Sequence, residues 1–371
     1  MTTIIDPAAT GNPRRREERH TLAELAEELL RQQETKRDYV VDTRRMTFSS
    51  YPQPGERGGS YLSWDTADEI EGGFVKERAH RQIGERVGIP RRYYTRMQQE
   101  APGLLDANVG HWLREKPERR MVRMLGGDVR AFLSDRYRRL DNIDLLEQAI
   151  VPVFSGYPDL EFQVSALTDD RMYVRALLPS VQRDIRPGDT LQAGVEIRNS
   201  EVGESALAVQ PFAWRLVCAN GMIVPMRALT RYHVGRAQEE EAYAIYRDDT
   251  LAADDAAFFL KVRDAVGAAL SETFFSELVE ELQAATTGPR VQNPVAATER
   301  LAQRFDLNEQ EQMSVLRHLA LGGDLNQWGL ANAVTAAAKE ADMFERQRDM
   351  EVAGGLLVSL PAQEWAGIAS P

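Results

Sequence analysis

Three segments of the 371-residue chain interleave arginine with tyrosine. Residues 91–96 read RRYYTR and supply Arg91, Arg92, Tyr93, Tyr94 and Arg96. Residues 136–139 read RYRR and supply Arg136, Tyr137, Arg138 and Arg139. Residues 227–236 read RALTRYHVGR, carry Arg227, Arg231 and Arg236, and contain no acidic residue. Arginine neutralises phosphate and forks onto base edges, while tyrosine offers a face for stacking. A single strand, whose bases are free, suits that mixture best. The competing reading is that the tyrosines pack inside the protein and the arginines are merely exposed.

The first cluster sits in a frame with helix–turn–helix spacing, IGERVGIPRRYYTRM over residues 83–97. Gly84 stands where a small residue lets two helices approach. Gly88 makes the turn and Ile89 plugs the core. Tyr94 and Met97 face inward, and Arg91, Arg92, Thr95 and Arg96 face outward. Short helical hairpins of this kind are also common in proteins that never touch DNA.

Signatures of catalysis are missing from the sequence. No segment matches GxxxxGK followed by Ser or Thr, none matches GxGxxG, and there is no HExxH. The carboxylates Asp135, Asp141 and Asp144 are close in sequence and are weak candidates for a divalent ion. Aspartates so placed more often form turns and helix starts. Glu196 and Arg198 share one strand face, but a nuclease strand would usually offer a lysine there. Cys218 lies in the alternating run Phe212, Trp214, Leu216, Cys218 and reads as a small buried hydrophobe. One cysteine and five histidines make a common structural zinc site improbable, and no cofactor is implied.

Charge is unevenly spread. The total is −12, from 45 basic and 57 acidic residues. Residues 1–236 hold 35 basic and 34 acidic residues, and residues 237–371 hold 10 and 23. The deficit therefore sits in the C-terminal third. Residues 75–140 hold 16 basic and 8 acidic residues, a local +8. An acidic total thus leaves room for a basic face. The longest stretch without a formal charge, Leu325 to Ala338, has 14 residues, too few to span a bilayer. The N-terminus lacks a basic start followed by an apolar run, so no signal peptide is expected. A soluble cytoplasmic protein is the expectation.

The elements that must position these residues follow from periodicity. Residues 1–20 read as a flexible arm with Arg14, Arg15 and Arg16. Residues 21–115 read as a helical N-terminal region, opened by Thr21 with Glu24 as a capping box. Residues 38–64 within it are extended and aromatic. Residues 116–236 read as an antiparallel core. Met121 to Leu125 and Asp128 to Leu133 flank Gly126-Gly127, a hairpin signal. A helix from Asn142 should end near Ile150, before Pro152. Alternating strands follow, with helices to one side of the sheet. Residues 237–371 read as acidic helices. Phe258, Val262, Val266, Leu270, Phe274, Leu278 and Leu282 recur every four residues, a stripe that creeps round a helix. Asn308 with Glu311 forms a looser capping pair, and Leu330 to Met350 reads as a helix. The predicted class is α+β, an antiparallel sheet built from hairpins with packed helices.

QIGERVGIPRRYYTRM, LLDANVGHWL, FLSDRYRRLDN, GVEIRNSEVGESALAVQPFAWRLVCANGM and QWGLANAVTAAAKEAD occur in the same order in a phage- and plasmid-associated family of unknown function. The chain resembles that family, domain-of-unknown-function number 932, over roughly residues 75–355. The RNSE and RLVCANGM blocks are the most specific parts. The resemblance implies a mobile-element protein with an α+β core and a role near DNA metabolism; it transfers no catalytic residues. The expected function is a nucleic-acid-binding protein, with single-stranded DNA favoured, serving strand annealing or recombination. Two alternatives stand beside it: a metal-dependent enzyme acting on nucleic acid, and a non-catalytic oligomeric scaffold or host-factor-binding protein.

Overall fold

The structure, a computed structural model, describes residues 19–51, 59–67, 69–224 and 248–370. It is α+β, with three antiparallel sheets and a helical C-terminal region. The chain opens with β1 (Arg19–His20) and α1 (Leu22–Thr35). The Thr21 hydroxyl accepts from the Glu24 N–H, and Glu24 accepts from the Thr21 N–H at 2.7 Å, so the capping box forms. Then come β2 (Arg37–Asp42), β3 (Met46–Tyr51), β4 (Gly59–Asp65) and β5 (Ile70–Phe74). Helices α2 (Glu77–Arg86), α3 (Arg91–Glu100) and α4 (Pro102–Glu115) follow, then the hairpin of β6 (Arg119–Leu125) and β7 (Asp128–Ser134). Gly126 and Gly127 both have positive φ, 59° and 86°, which the tight turn between right-twisted strands requires.

Pairing crosses the expected boundary near residue 115. Strand β2 pairs with β6, which pairs with β7, and β3-β4-β5 form a separate sheet. A parallel bridge between Val75 and Val129 links the end of one sheet to the other. One core serves both sheets and α2–α4, through Phe48, Leu62, Trp64, Ile83, Val109 and Phe132. The boundary expected from the change of hydrophobic period is therefore not a break in the hydrogen bonding.

The helix from Asn142 does not stop at Ile150. α5 (Asn142–Leu145) runs into a π-helical turn, Leu146–Ile150, and then into α6 (Val151–Phe154). The wider turn accommodates Pro152, which has no N–H and would clash with a regular i−4 carbonyl. Next are β8 (Glu161–Leu167), β9 (Met172–Arg186), β10 (Asp189–Asn199), β11 (Ala208–Arg215) and β12 (Asn220–Ile223). They form a meander, with β1 added beside β8.

The C-terminal region comprises α7 (Asp248–Ala269), α8 (Glu272–Thr287), α9 (Pro294–Phe305), α10 (Glu309–Gly322), α11 (Gln327–Ala338), α12 (Phe344–Val358) and α13 (Ala362–Ala369). The creeping stripe is resolved by a break. Ser271 ends one helix and caps the next, its hydroxyl accepting from the Phe274 N–H. Each shorter helix then turns its own stripe inward. The span expected as one helix from Leu330 to Met350 is likewise divided between α11 and α12. Asn308 and Glu311 form a full capping box.

Helices cover both faces of the large sheet. On one face Val174, Val195 and Val209 meet Leu25, Val262, Leu278 and Trp328. The opposite face carries Tyr173, Arg175, Glu196 and Gln210, and α12 lies over it. Arg348 donates to Glu196 at 2.6 Å and to Gln210 at 2.6 Å. Arg175 pairs with Glu196 and Glu351, each at 2.6 Å. Its guanidinium also lies over the rings of Phe212 and Phe344, 4.9 and 5.1 Å from their centroids. All four charged groups are buried. Burial alone would push the Glu196 carboxyl up. Arg175 and Arg348 outweigh it and hold the group below its ordinary range. Among the described residues no helix is long and apolar enough to cross a membrane.

Removing one member of this foursome unbalances its charge in a dry interior; without Arg348, Arg175 alone faces both Glu196 and Glu351. Arg348→Met should lower unfolding stability in urea by about 3–5 kcal/mol, the usual cost of breaking a buried pair. A loss below about 1 kcal/mol would show that α12 is not fastened to the sheet by this set.

Candidate nucleic-acid interface

Helices α2 and α3 form the hairpin read from the sequence. Gly88 turns the chain with φ 71°, and Ile89 is buried beneath it. Gly84 lies against the ring of Tyr94; a Cβ there would stand 3.1 Å from it. Tyr94 and Met97 are buried, and the Tyr94 hydroxyl lies 2.9 Å from His80 Nδ1. Burial holds the His80 imidazole down to about 4, so it is neutral at pH 7, and pushes the Tyr94 hydroxyl up. Tyr94 therefore has no free face for a base.

Arg91, Arg92, Tyr93 and Arg96 lie outside, on the other side of α3. Tyr93 is 47% exposed. Arg91 reaches Glu77 at 3.1 Å and Arg96 reaches Glu100 at 2.8 Å, and all four of those side chains are more than half exposed. Exposed pairs of this kind are worth about 0–1 kcal/mol, so they yield readily to a phosphate. Arg92 makes no ion pair with a described residue.

The second cluster is placed differently. The loop after β7 tucks Tyr137 against Met121, Ala131, Leu133 and Val202, and its hydroxyl donates to the Ser200 carbonyl at 3.0 Å. Arg138 donates through Nε to Asp255 at 2.7 Å, pairs with Asp254 at 3.1 Å, and lies over the Phe258 ring. Arg139 is half-exposed, 3.7 Å from Asp38. Arg136 is exposed. The two clusters are reached from different sides of α2. Its Gly84 faces α3. Its Gln82, about 160° round the helix, donates to the Val202 carbonyl and accepts from the Phe132 N–H, each at 2.8 Å. Gly203 lies between Gln82 and the Tyr137 ring. Arg227, Arg231 and Arg236 lie outside the described residues, as do Arg14, Arg15 and Arg16.

The three aspartates are not arranged as a metal site. Asp135 is exposed on the loop. Asp141 accepts from Arg123 at 2.6 Å and pairs with Lys36 at 3.3 Å. Burial, then the neighbouring Asp141 charge, pushes the Asp144 carboxyl up. Among the described residues no three His, Cys, Asp or Glu side chains converge to hold an ion. Cys218 departs from its expected place. Strand β11 ends at Arg215, so Leu216, Val217 and Cys218 form an exposed hairpin turn. The alternation of the strand had run on into the turn.

What periodicity could not reveal is a second buried charge set, built around the RNSE block. Arg123 is fully buried and grips Asp38 through two bonds of 2.9 and 3.0 Å, besides Asp141 and the Glu201 carbonyl. The Glu201 carboxylate takes Lys36 at 2.9 Å, the Asn142 N–H at 2.6 Å, and Arg130. Asn199 donates to the Leu140 carbonyl and to the Asn142 side chain. Burial pushes the Glu201 carboxyl up, but Arg130, Lys36, the Asn142 N–H and Arg123 overcome it and hold the group at about 2. A cavity of about 270 Å³ opens beside this set, lined by Lys76, Arg78, Arg130, Arg171, Asp169, Asp170 and Glu201 among others. Its cations are matched by carboxylates: Lys76 by Asp128, Arg78 by Asp170, Arg130 by Glu201 and Arg171 by Glu204. The signal in the sequence was the specificity of the RNSE block, without its partners Lys36, Asp38 and Arg123.

Residues 131–353 match the model of a family described as Domain of unknown function (DUF932). No curated protein and no solved structure matches the chain.

Glu201 is ionised far below the pH at which an unfolded glutamate, near 4.3, takes up its proton. Its contribution to stability is complete above about pH 5 and is lost as the pH falls toward 2. Glu201→Gln should cost about 3 kcal/mol at pH 7 and flatten the fall in stability between about pH 5 and 2. Unfolding curves with the same acid slope in both proteins would contradict this.

Proposed function

The chain belongs to the DUF932 family, matched over more than half its length, and from that premise we propose that it is a DNA-binding protein whose contact surface is the outer side of α3. One observation carries the reading. The second helix of a helix–turn–helix hairpin buries Tyr94 and Met97 and turns Arg91, Arg92, Tyr93 and Arg96 to solvent, with no partner among the described residues worth more than a weak surface pair. Arginines one helical turn apart are suited to successive phosphates, and the planar fork of each matches phosphate oxygens.

The contact is to the backbone first. With Tyr94 and Tyr137 both committed inside, Tyr93 alone of the three candidate tyrosines offers a stacking face. That favours backbone recognition over a stacking platform, so duplex and single strand are both substrates to be tried. A strand-annealing or recombination role in the cytoplasm of a bacterial or phage-infected cell is the finer form of this proposal; the mobile-element resemblance supports it. The metal-dependent alternative has lost its ligand set among the described residues.

Binding should weaken steeply between about 50 and 200 mM salt, as phosphate contacts require. Arg91→Ala with Arg92→Ala and Arg96→Ala should reduce the salt slope by about 2–3 and the affinity at least tenfold at low salt. Fluorescence anisotropy with labelled single- and double-stranded oligonucleotides checks both. Affinity unchanged in the triple variant would remove α3 from the interface, and no binding by the unmodified chain would overturn the reading.

A further inference from the structure

The second arginine cluster lies away from α3, and its central residue is already holding something. Arg138 spans from the loop after β7 to the start of α7, 117 positions along the chain. It takes Asp255 through Nε at 2.7 Å and Asp254 at 3.1 Å. Two carboxylate oxygens across one guanidinium reproduce the pattern a phosphodiester would present. Both aspartates remain 45% and 42% exposed, while Arg138 is 19% exposed. Arg136 and Arg139 flank it on the solvent side of the same loop.

We propose that the acidic start of α7 is an intramolecular phosphate mimic: Asp254 and Asp255 cover Arg138 in the free protein, and DNA displaces them so that residues 136–139 become a second backbone contact. The inference rests on the DNA-binding reading given above. The magnitudes permit it. Ion pairs whose carboxylates stand nearly half in water contribute about 0–1 kcal/mol each, and the guanidinium over the Phe258 ring about 0.5–1 kcal/mol. The first residue of α7 described as buried is Phe258, so the helix keeps its anchor in the core when the turn before it lets go. A strand held by α3 on the far side of α2 would meet the loop only by passing round that helix. The second contact therefore adds to long DNA and not to short fragments.

The experiment uses the full chain and an oligonucleotide long enough to pass both clusters. Asp254→Asn with Asp255→Asn should tighten binding at low salt by about three- to tenfold. Adding Arg138→Ala to that variant should abolish the gain. Glu280→Gln with Glu281→Gln, an equal charge change on exposed residues of α8, should give a smaller gain that is independent of Arg138. If the unmodified chain binds and the Asp254/Asp255 variant gains no more than the Glu280/Glu281 variant, the mimic is overturned and the DNA-binding reading stands. If the gain survives Arg138→Ala, the mimic is overturned likewise. If no form of the chain binds, the DNA-binding reading fails and takes the inference with it. Should the double variant not fold, Asp255→Asn alone carries the same expectation in the same direction.

Discussion

A charge taken out of water must be met by an opposite charge or by several hydrogen bonds, and this constraint organises the molecule more than any other. Arg123 has no route to solvent, so Asp38, Asp141 and the Glu201 carbonyl must stand round it. These come from β2, the approach to α5 and the turn after β10. None can move without stranding the rest. Arg175 and Arg348 impose the same condition on Glu196 and Glu351, and so fasten the last long helix to the sheet. The RNSE block supplies members to the first set through Asn199 and Glu201. It spans the end of β10, on which Glu196 belongs to the second. Its specificity in sequence thus has a structural cause that asks nothing of catalysis.

The same constraint sorts the arginines. Arg123, Arg175 and Arg348, inside, are consumed by carboxylates and cannot greet a ligand without an exchange that the interior makes expensive. Those on α3 meet at most a half-exposed glutamate, in water, where the pairing is nearly neutral in free energy. Arg138 stands between the two conditions. It is mostly covered, yet its two partners are not. An arginine-rich sequence is therefore a weak guide to a binding face until each guanidinium has been traced to its acceptor.

Local features were legible because local rules govern them. The capping boxes at Thr21 and Asn308, the glycine hairpin at 126–127, and the small residue at 84 facing Tyr94 all follow from a few neighbouring residues. The class followed too, because a change of hydrophobic period survives any packing. What escaped was decided at long range. No local pattern announces that β2 will cross to β6, or that Lys36 will meet Glu201. Pro152 was misread because a π-turn relieves the clash that normally ends a helix. Cys218 was misread because alternation says nothing of where a strand stops. At the candidate site the outward set on α3 and the inward Tyr94 were legible from the hairpin spacing, whereas the stacking role assigned to Tyr137 depended on a neighbour 63 positions away.

Hydrogen exchange on the full chain, with and without a saturating DNA oligonucleotide at low salt, tests the central claim most directly. The account predicts slower exchange over the Gly88 turn and α3, faster exchange in the turn of α7 that carries Asp254 and Asp255, and no change in α8 to α10. Unchanged exchange over α3 under saturating DNA, or protection confined to the acidic helices, would contradict it.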